Sequence, residues 1–253
     1  MRSFNYSDYE SRLMDKNYIQ MLQRPRVRFF ADCKRVLDLA CGPGIFLELL
    51  GEAGIEALGV DRNEEIVHKA RQKGLNLLHS DIFDYLEKNS ERFCGIFCSH
   101  LLEHLPFERV VRLVELISGK LERNGILVFV LPNPGSIRLH LFGFWRDPEH
   151  VRFYTGNLIA SVCQHNGLNV EYSNEEETPN LLETPRLEPI SLPPSLKGWR
   201  RLVQGPKDEM RLFLHEFNKQ VEAFNQKIEK FSETLNKVWS REDEVVIVCR
   251  KTE

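Results

Sequence analysis

The chain has no apolar stretch approaching the roughly 20 residues that cross a bilayer, so a membrane span is not expected. Its opening residues, MRSFNYSDYE, lack the apolar h-region of a signal peptide, and a cytoplasmic location is expected. It also lacks an excess of charge of one sign: the net charge is -3 over 253 residues. That argues against a dedicated nucleic-acid binder, which needs a broad basic face. Metal-type cysteine spacing is missing as well. Cys33, Cys41, Cys163 and Cys249 stand alone, and Cys94 and Cys98 share one strand-like run. They read as reduced, buried thiols rather than a disulfide framework or a zinc site.

What is present is alternation. Short β-branched runs at Val36–Ala40, Ile55–Val60, Leu75–Ser80, Phe93–His100 and Gly125–Pro132 read as strands. Helical patterns over Ile45–Ala53, Asn63–Gly74, Phe107–Leu121 and Thr155–Asn166 fall between or after them, with Asn63 at a helix cap. Leu168–Ser173 and Glu244–Lys251 complete the strands. This order predicts an α/β fold with a parallel sheet and helices on both faces. Ligands of such sheets bind beyond the carboxyl ends of the strands. The residues to question are therefore Gly42–Gly44, Asp61, Asp81, His100–His104 and Asn133–Ser136.

Gly42 and Gly44 allow a tight turn with a ligand against bare backbone. Asp61 follows about 17 residues later at a strand end, where a carboxylate can accept from both ribose hydroxyls. A nucleoside-containing cofactor follows. Leu47 stands where a dinucleotide fingerprint has its third glycine, and no lysine follows the turn, so NAD, FAD and ATP are disfavoured. With VLDLACGPG, LGVDRNEEIVHKA, HSDIFDYL and FCGIFCSHLLEHL in this order, the chain resembles class I S-adenosylmethionine-dependent methyltransferases. The resemblance covers about residues 33–173 plus the last strand. It implies a Rossmann-like, doubly wound, seven-stranded and mostly parallel sheet, with a helical insertion before the last strand. It implies S-adenosylmethionine as cofactor, with Asp38 and the Ala40–Gly44 turn at the methionine end. Asp61, with Arg62 beside it, would bind the ribose. Asp81 and the Ile82 backbone would meet the adenine, and Ser99 and His100 would lie near the sulfonium. Ala40 stands where the family usually has glycine.

Methyl transfer from a sulfonium mainly needs alignment, and a hydroxyl nucleophile also benefits from a base. His100, His104 and His150 are the candidate bases. The spacing of His100 and His104 offers two metal ligands without an evident third, so no metal is expected. After strand five, LPNPGSIRLHLFGFWRDPEHVRFYT mixes aromatics with basic groups and reads as a substrate wall, with Arg138, Trp145, Arg146 and Tyr154 as contacts. This loop resembles those of methyltransferases in polysaccharide and lipopolysaccharide biosynthesis. A sugar or glycan hydroxyl is thus the first expected acceptor, and a small quinone- or phenol-type molecule the second. A silent methyltransferase-like subunit is a third reading, which the intact turn and acids oppose.

Residues 1–32 are expected to form a helical cover, with Tyr6, Tyr9 and Tyr18 near the ligands. Residues 33–173 with 241–253 form the expected core, and 174–240 an insertion. Within the insertion, 195–204 could lie on an anionic membrane surface. From 207 to 240, Leu214, Phe217, Val221, Phe224, Ile228, Phe231, Leu235 and Val238 follow a heptad. That predicts one helix of about 30 residues with its apolar stripe buried in a coiled coil, a homodimer or against a partner helix.

Overall fold

The computed structural model describes residues 15–177, 184–191, 205–239 and 241–252. Tyr6, Tyr9 and the expected membrane segment at 195–204 lie outside these. The chain divides into two units, one holding residues up to Glu176 and from Glu242 onward, the other Glu177–Arg241.

In the first unit seven strands form one sheet: β1 (Arg35–Leu39), β2 (Glu56–Asp61), β3 (Leu77–His79), β4 (Phe93–Ser99), β5 (Leu121–Pro132), β6 (Leu168–Ser173) and β7 (Glu244–Lys251). Their order across the sheet is β3-β2-β1-β4-β5-β7-β6. β1 to β5 pair in parallel, while β7 runs antiparallel between β5 and β6. That antiparallel insertion brings Glu244, the first residue of β7, opposite Pro132, the last of β5. Asp243 and Glu244 therefore join the carboxyl edge, where the residues singled out from the sequence sit.

Helices α1 (Lys16–Gln23), α2 (Ile45–Glu52), α3 (Glu64–Gln72), α4 (Ile82–Lys88), α5 (Phe107–Lys120) and α6 (Gly156–His165) belong to the same unit. Side-chain caps set several starts: Asp15 for α1, Asn63 for α3, Asp81 for α4 and Thr155 for α6. A 3-10 segment, Arg24–Phe30, follows α1 and plugs one face of the sheet with Phe30. Gly95 of β4 makes room for it, since a Cβ there would come within 2.5 Å of the Phe30 ring. Phe46 of α2 stacks on Phe97 of β4 at 3.8 Å beside it. The opposite face is covered by α4, α5 and α6, which bury Leu86, Val114, Ile117 and Ile159 against β4, β5 and β7.

The second unit leaves the phenylalanines of the heptad stripe uncovered by its described residues. Its helix α7 (Gly205–Trp239) is 35 residues long, as the pattern demands. Yet Phe217, Phe224 and Phe231 are exposed, and the buried positions are Val221, Asn225 and Ser232. The physical reason is backbone satisfaction. The side chain of Asn225 both accepts from the Leu187 N–H and donates to its carbonyl, each at 3.0 Å. Asn218 does the same for Ile190 at 2.9 Å. Seven helical residues rise about 10.5 Å, close to the span of three extended residues, so Asn218 and Asn225 reach Ile190 and Leu187 of the neighbouring segment together. Among the described residues of this unit α7 is the one helix, so they hold no helix for it to coil against.

Candidate active site

Three residues with positive φ build the turn after β1: Ala40 at 54°, Gly42 at 51° and Gly44 at 80°. Ala40 accepts a left-handed backbone that costs a side-chain-bearing residue about 1–2 kcal/mol. This explains why glycine is the residue expected there. A Cβ on Gly42 would meet nothing within 4 Å, so the turn faces open space.

Asp61 ends β2 with both carboxylate oxygens committed. Oδ2 accepts from the Gly42 N–H and Oδ1 from the Asn63 N–H, each at 2.8 Å. One acid thus ties the glycine turn to the start of α3. Arg62, expected beside the ribose, is exposed and pairs with Glu149 of the loop after β5 at 2.5 Å. Asp81 caps α4 through Oδ1, which accepts from Phe83 and Asp84 N–H. Ile82 follows as the first residue of α4, with its side chain buried.

Asp38, on β1, is 3% exposed, and its carboxylate makes no hydrogen bond or ion pair among the described residues. Burial, and then the nearby Asp61 carboxylate, push its carboxyl well above the usual range. A carboxyl raised in the folded state weakens folding once the pH passes its unfolded value, near 3.9, and does so increasingly until the folded value is passed. Asp38→Asn should therefore raise the melting temperature of the cofactor-free protein at pH 7. If Asp38 serves a cofactor ammonium, the same variant should bind S-adenosylmethionine at least ~10-fold more weakly, the equivalent of one charge-assisted hydrogen bond. Thermal melts with and without cofactor read both changes. An unchanged melting temperature and affinity would remove Asp38 from the site.

Ser99 ends β4, and His100 follows in the left-handed region at φ 53°. That backbone turns the imidazole back between two acids. Nδ1 lies 3.1 Å from Glu103 Oε1 and Nε2 lies 2.7 Å from Glu244 Oε1. Desolvation alone would lower its pKa, but the hydrogen bonds it donates to Glu103 and Glu244, and their charges, prevail and hold it at about 10. Both ring nitrogens of His100 are thus engaged by carboxylates, and the general-base role expected from the sequence would need one of them released. Glu244 in turn is penalised by burial, but His100 and Arg26 hold its carboxyl down at about 2.

The other two histidine candidates come together. His104 closes a short 3-10 turn, Leu102–His104, so it does not stack one α-helical turn above His100. Its ring instead meets His150 from the loop after β5, with centroids 4.7 Å apart. Burial holds the His104 imidazole below its usual pKa. His150 Nδ1 is 2.6 Å from the Phe144 carbonyl. The loop is fastened here, because the N–H groups of Val151 and Arg152 both donate to the Glu103 carbonyl.

Two expected substrate contacts have partners within the protein. Tyr154 is 2% exposed, and its hydroxyl donates to the Leu105 carbonyl at 2.6 Å, so it belongs to the core. Arg138 pairs with Asp243 at 3.1 Å and braces the edge of the sheet. Trp145 and Arg146 are exposed on the loop. Sequence reasoning missed Arg26, Asp243 and Glu244. Nothing near them in the chain marks them, because their partners are more than 100 residues away.

Residues 8–173 match the model of a family described as methyltransferase domain. The chain is 34% identical over 102 residues to a ubiquinone biosynthesis O-methyltransferase of Coxiella burnetii, covering 38% of this chain and 42% of that one. It is 30% identical over 106 residues to the enzyme so named in Actinobacillus pleuropneumoniae, covering 38% and 44%. It thus spans less than half the length of these curated relatives. Over 98% of its length it superposes on 100% of a SAM-dependent methyltransferase structure from Archaeoglobus fulgidus, with a TM-score of 0.71 and 27% identity.

The residues present fit the cofactor of such enzymes. The open space before Gly42 admits a ligand against backbone, and the buried Asp38 has a carboxylate to offer an ammonium group. Asp61 and Asp81 stand at the ends of β2 and β3, where the ribose and adenine would lie. The glycine turn, the three acids and the family match make this chain a member of the S-adenosylmethionine-dependent methyltransferases.

Proposed function

We propose that the protein transfers the methyl group of S-adenosylmethionine to a hydroxyl of a small phenolic acceptor. The observation that carries the reading is the conjunction of the open Gly42 turn with Asp38, Asp61 and Asp81 at one carboxyl edge. The acceptor class rests on two further points. The relatives named above are O-methyltransferases of ubiquinone biosynthesis. In addition, Leu141, Phe142 and Trp145 expose 59%, 63% and 63% of their surface on the loop after β5, a wall suited to an aromatic ring. Of the polar contacts expected from the sequence, Arg138 is engaged with Asp243 and Tyr154 with the Leu105 carbonyl, which leaves Arg146 exposed on the loop beside the aromatic wall.

Bound S-adenosylmethionine supplies a methyl group already activated by its sulfonium. The chain's part is to fix the cofactor through the turn and acids and to present the acceptor oxygen in line. Orientation of that kind is worth up to about 7–11 kcal/mol of barrier. His100, held as a cation, keeps Glu103 and Glu244 in place at that edge.

The test is turnover of methyl-labelled S-adenosylmethionine with two acceptor panels, simple catechols and methyl glycosides. The expected outcome is label transfer to catechols and none to glycosides. Transfer to glycosides alone would overturn the phenolic assignment and restore the sugar reading.

A further inference from the structure

We propose that Glu103, His104 and His150 form a binding site for a divalent transition-metal ion of the zinc class, which clamps the loop after β5 to the turn after β4. One ligand atom from each of the three lies within 4.8 Å of the others. The pairing of His100 with His104 suggested by spacing is not the one that forms. The third ligand comes from the far loop, 46 positions beyond His104.

The strongest sign is on Glu103. The residue is 1% exposed, and its Oε1 is occupied by His100, yet its Oε2 has no partner. An unpaired buried carboxylate oxygen is costly, and native structures rarely leave one without a ligand. The two imidazoles point the same way. The His104 ring makes no hydrogen bond among the described residues. His150 has Nδ1 at the Phe144 carbonyl, so that nitrogen carries the proton and donates it, leaving the Nε2 lone pair free to coordinate. A backbone carbonyl that fixes the tautomer of a ligating histidine is the usual outer shell of such sites. Asp147 Oδ2 lies 3.8 Å from His150 Nε2, too far for a hydrogen bond, and so leaves that lone pair available.

The donor set selects the ion. Two imidazoles and one carboxylate suit zinc and neighbouring first-row divalent ions, whereas magnesium and calcium ask for oxygen ligands throughout. Three protein ligands leave a coordination position for an oxygen from solvent. The backbone already joins the same two segments, since Glu103 accepts from Val151 and Arg152. The ion would add a side-chain bolt to that link.

Untagged protein, stripped with a chelator, is titrated with cobalt(II) while the visible bands of the bound ion are followed, and the cobalt is then displaced with zinc(II). One equivalent is expected to bind. His150→Ala and Glu103→Gln each remove a direct ligand and should weaken it by ~100-fold or more, beyond the roughly 10–100-fold that the loss of an outer-shell partner costs. His140→Ala should not, because His140 bonds to the Pro134 carbonyl on the same loop and lies outside the cluster. Zinc should also raise the melting temperature of the wild type but not of His150→Ala. Glu103 is buried and its variant could fold poorly, so the loop residue His150 carries the decision. No stoichiometric binding by folded wild type, or unchanged affinity in His150→Ala, overturns the site. S-adenosylmethionine binding, measured on the same samples, shows that the core is folded and separates this failure from failure of the methyl-transfer reading.

Discussion

Asp61→Ala should lower the affinity for S-adenosylmethionine by ~100-fold or more, measured by calorimetry at pH 7.5. Two losses combine. The ribose diol loses a charged acceptor, and hydrogen bonds to charged groups are worth about 1.5–3 kcal/mol each. Two of them exceed the roughly 2.7 kcal/mol that corresponds to 100-fold. The cofactor-free site is also altered, because the same carboxylate holds the Gly42 and Asn63 N–H groups at 2.8 Å. Without it the turn loses the acceptor that fixes Gly42, a glycine with intrinsic freedom at φ 51°. Asp61→Asn separates the contributions, since its amide oxygen can still accept from one N–H while the charge is gone. It should fall between wild type and alanine. Affinity within threefold of wild type in Asp61→Ala would place the cofactor elsewhere.

The parts of this site that could be read from the sequence are those whose signals are local. Gly42, Asp61 and Asp81 each stand at the end of an apolar run, and the Asn63 cap is visible from the acids that follow it. Helix α4 was not anticipated, although Asp81 caps it, because seven residues carry too little periodicity. Tyr154 carries no such signal, because a tyrosine in a polar loop looks available, while its hydroxyl has a carbonyl to satisfy in the core. The phenylalanine stripe of α7 is legible as a heptad and stays exposed within one chain, whereas the contacts of Asn218 and Asn225 with Ile190 and Leu187 carry no periodic signal. The histidines were assigned to catalysis by position alone. Their protonation depends on which acids the fold brings near, and Glu244 lies 144 residues from His100.

Glu244→Ala should be among the most destabilising single changes in the first unit, by about 3–5 kcal/mol, because it breaks a buried ion pair and leaves one partner stranded. Arg26 is 8% exposed; its guanidinium contacts Glu244 and donates to the Leu22 carbonyl at 2.6 Å. Without Glu244 that cation stays buried with only the carbonyl. His100 also loses one of its two acids, so its pKa should fall from about 10. The dependence on pH gives the assignment its signature. The raised His100 contributes stability that is complete below its unfolded value, near 6.5, and is lost as the pH climbs toward about 10. The depressed Glu244 contributes stability that is complete above its unfolded value, near 4.3, and is lost as the pH falls toward about 2. Wild-type stability in urea should therefore peak between pH ~5 and ~6.5 and decline on both sides. In Glu244→Ala the peak should be lower and both flanks flatter. Glu244→Gln should keep the packing and part of the hydrogen bonding but show the same flattening. A Glu244→Ala curve parallel to wild type, displaced without a change of shape, would mean that the acid contributes packing and not the charge that holds Arg26 and His100.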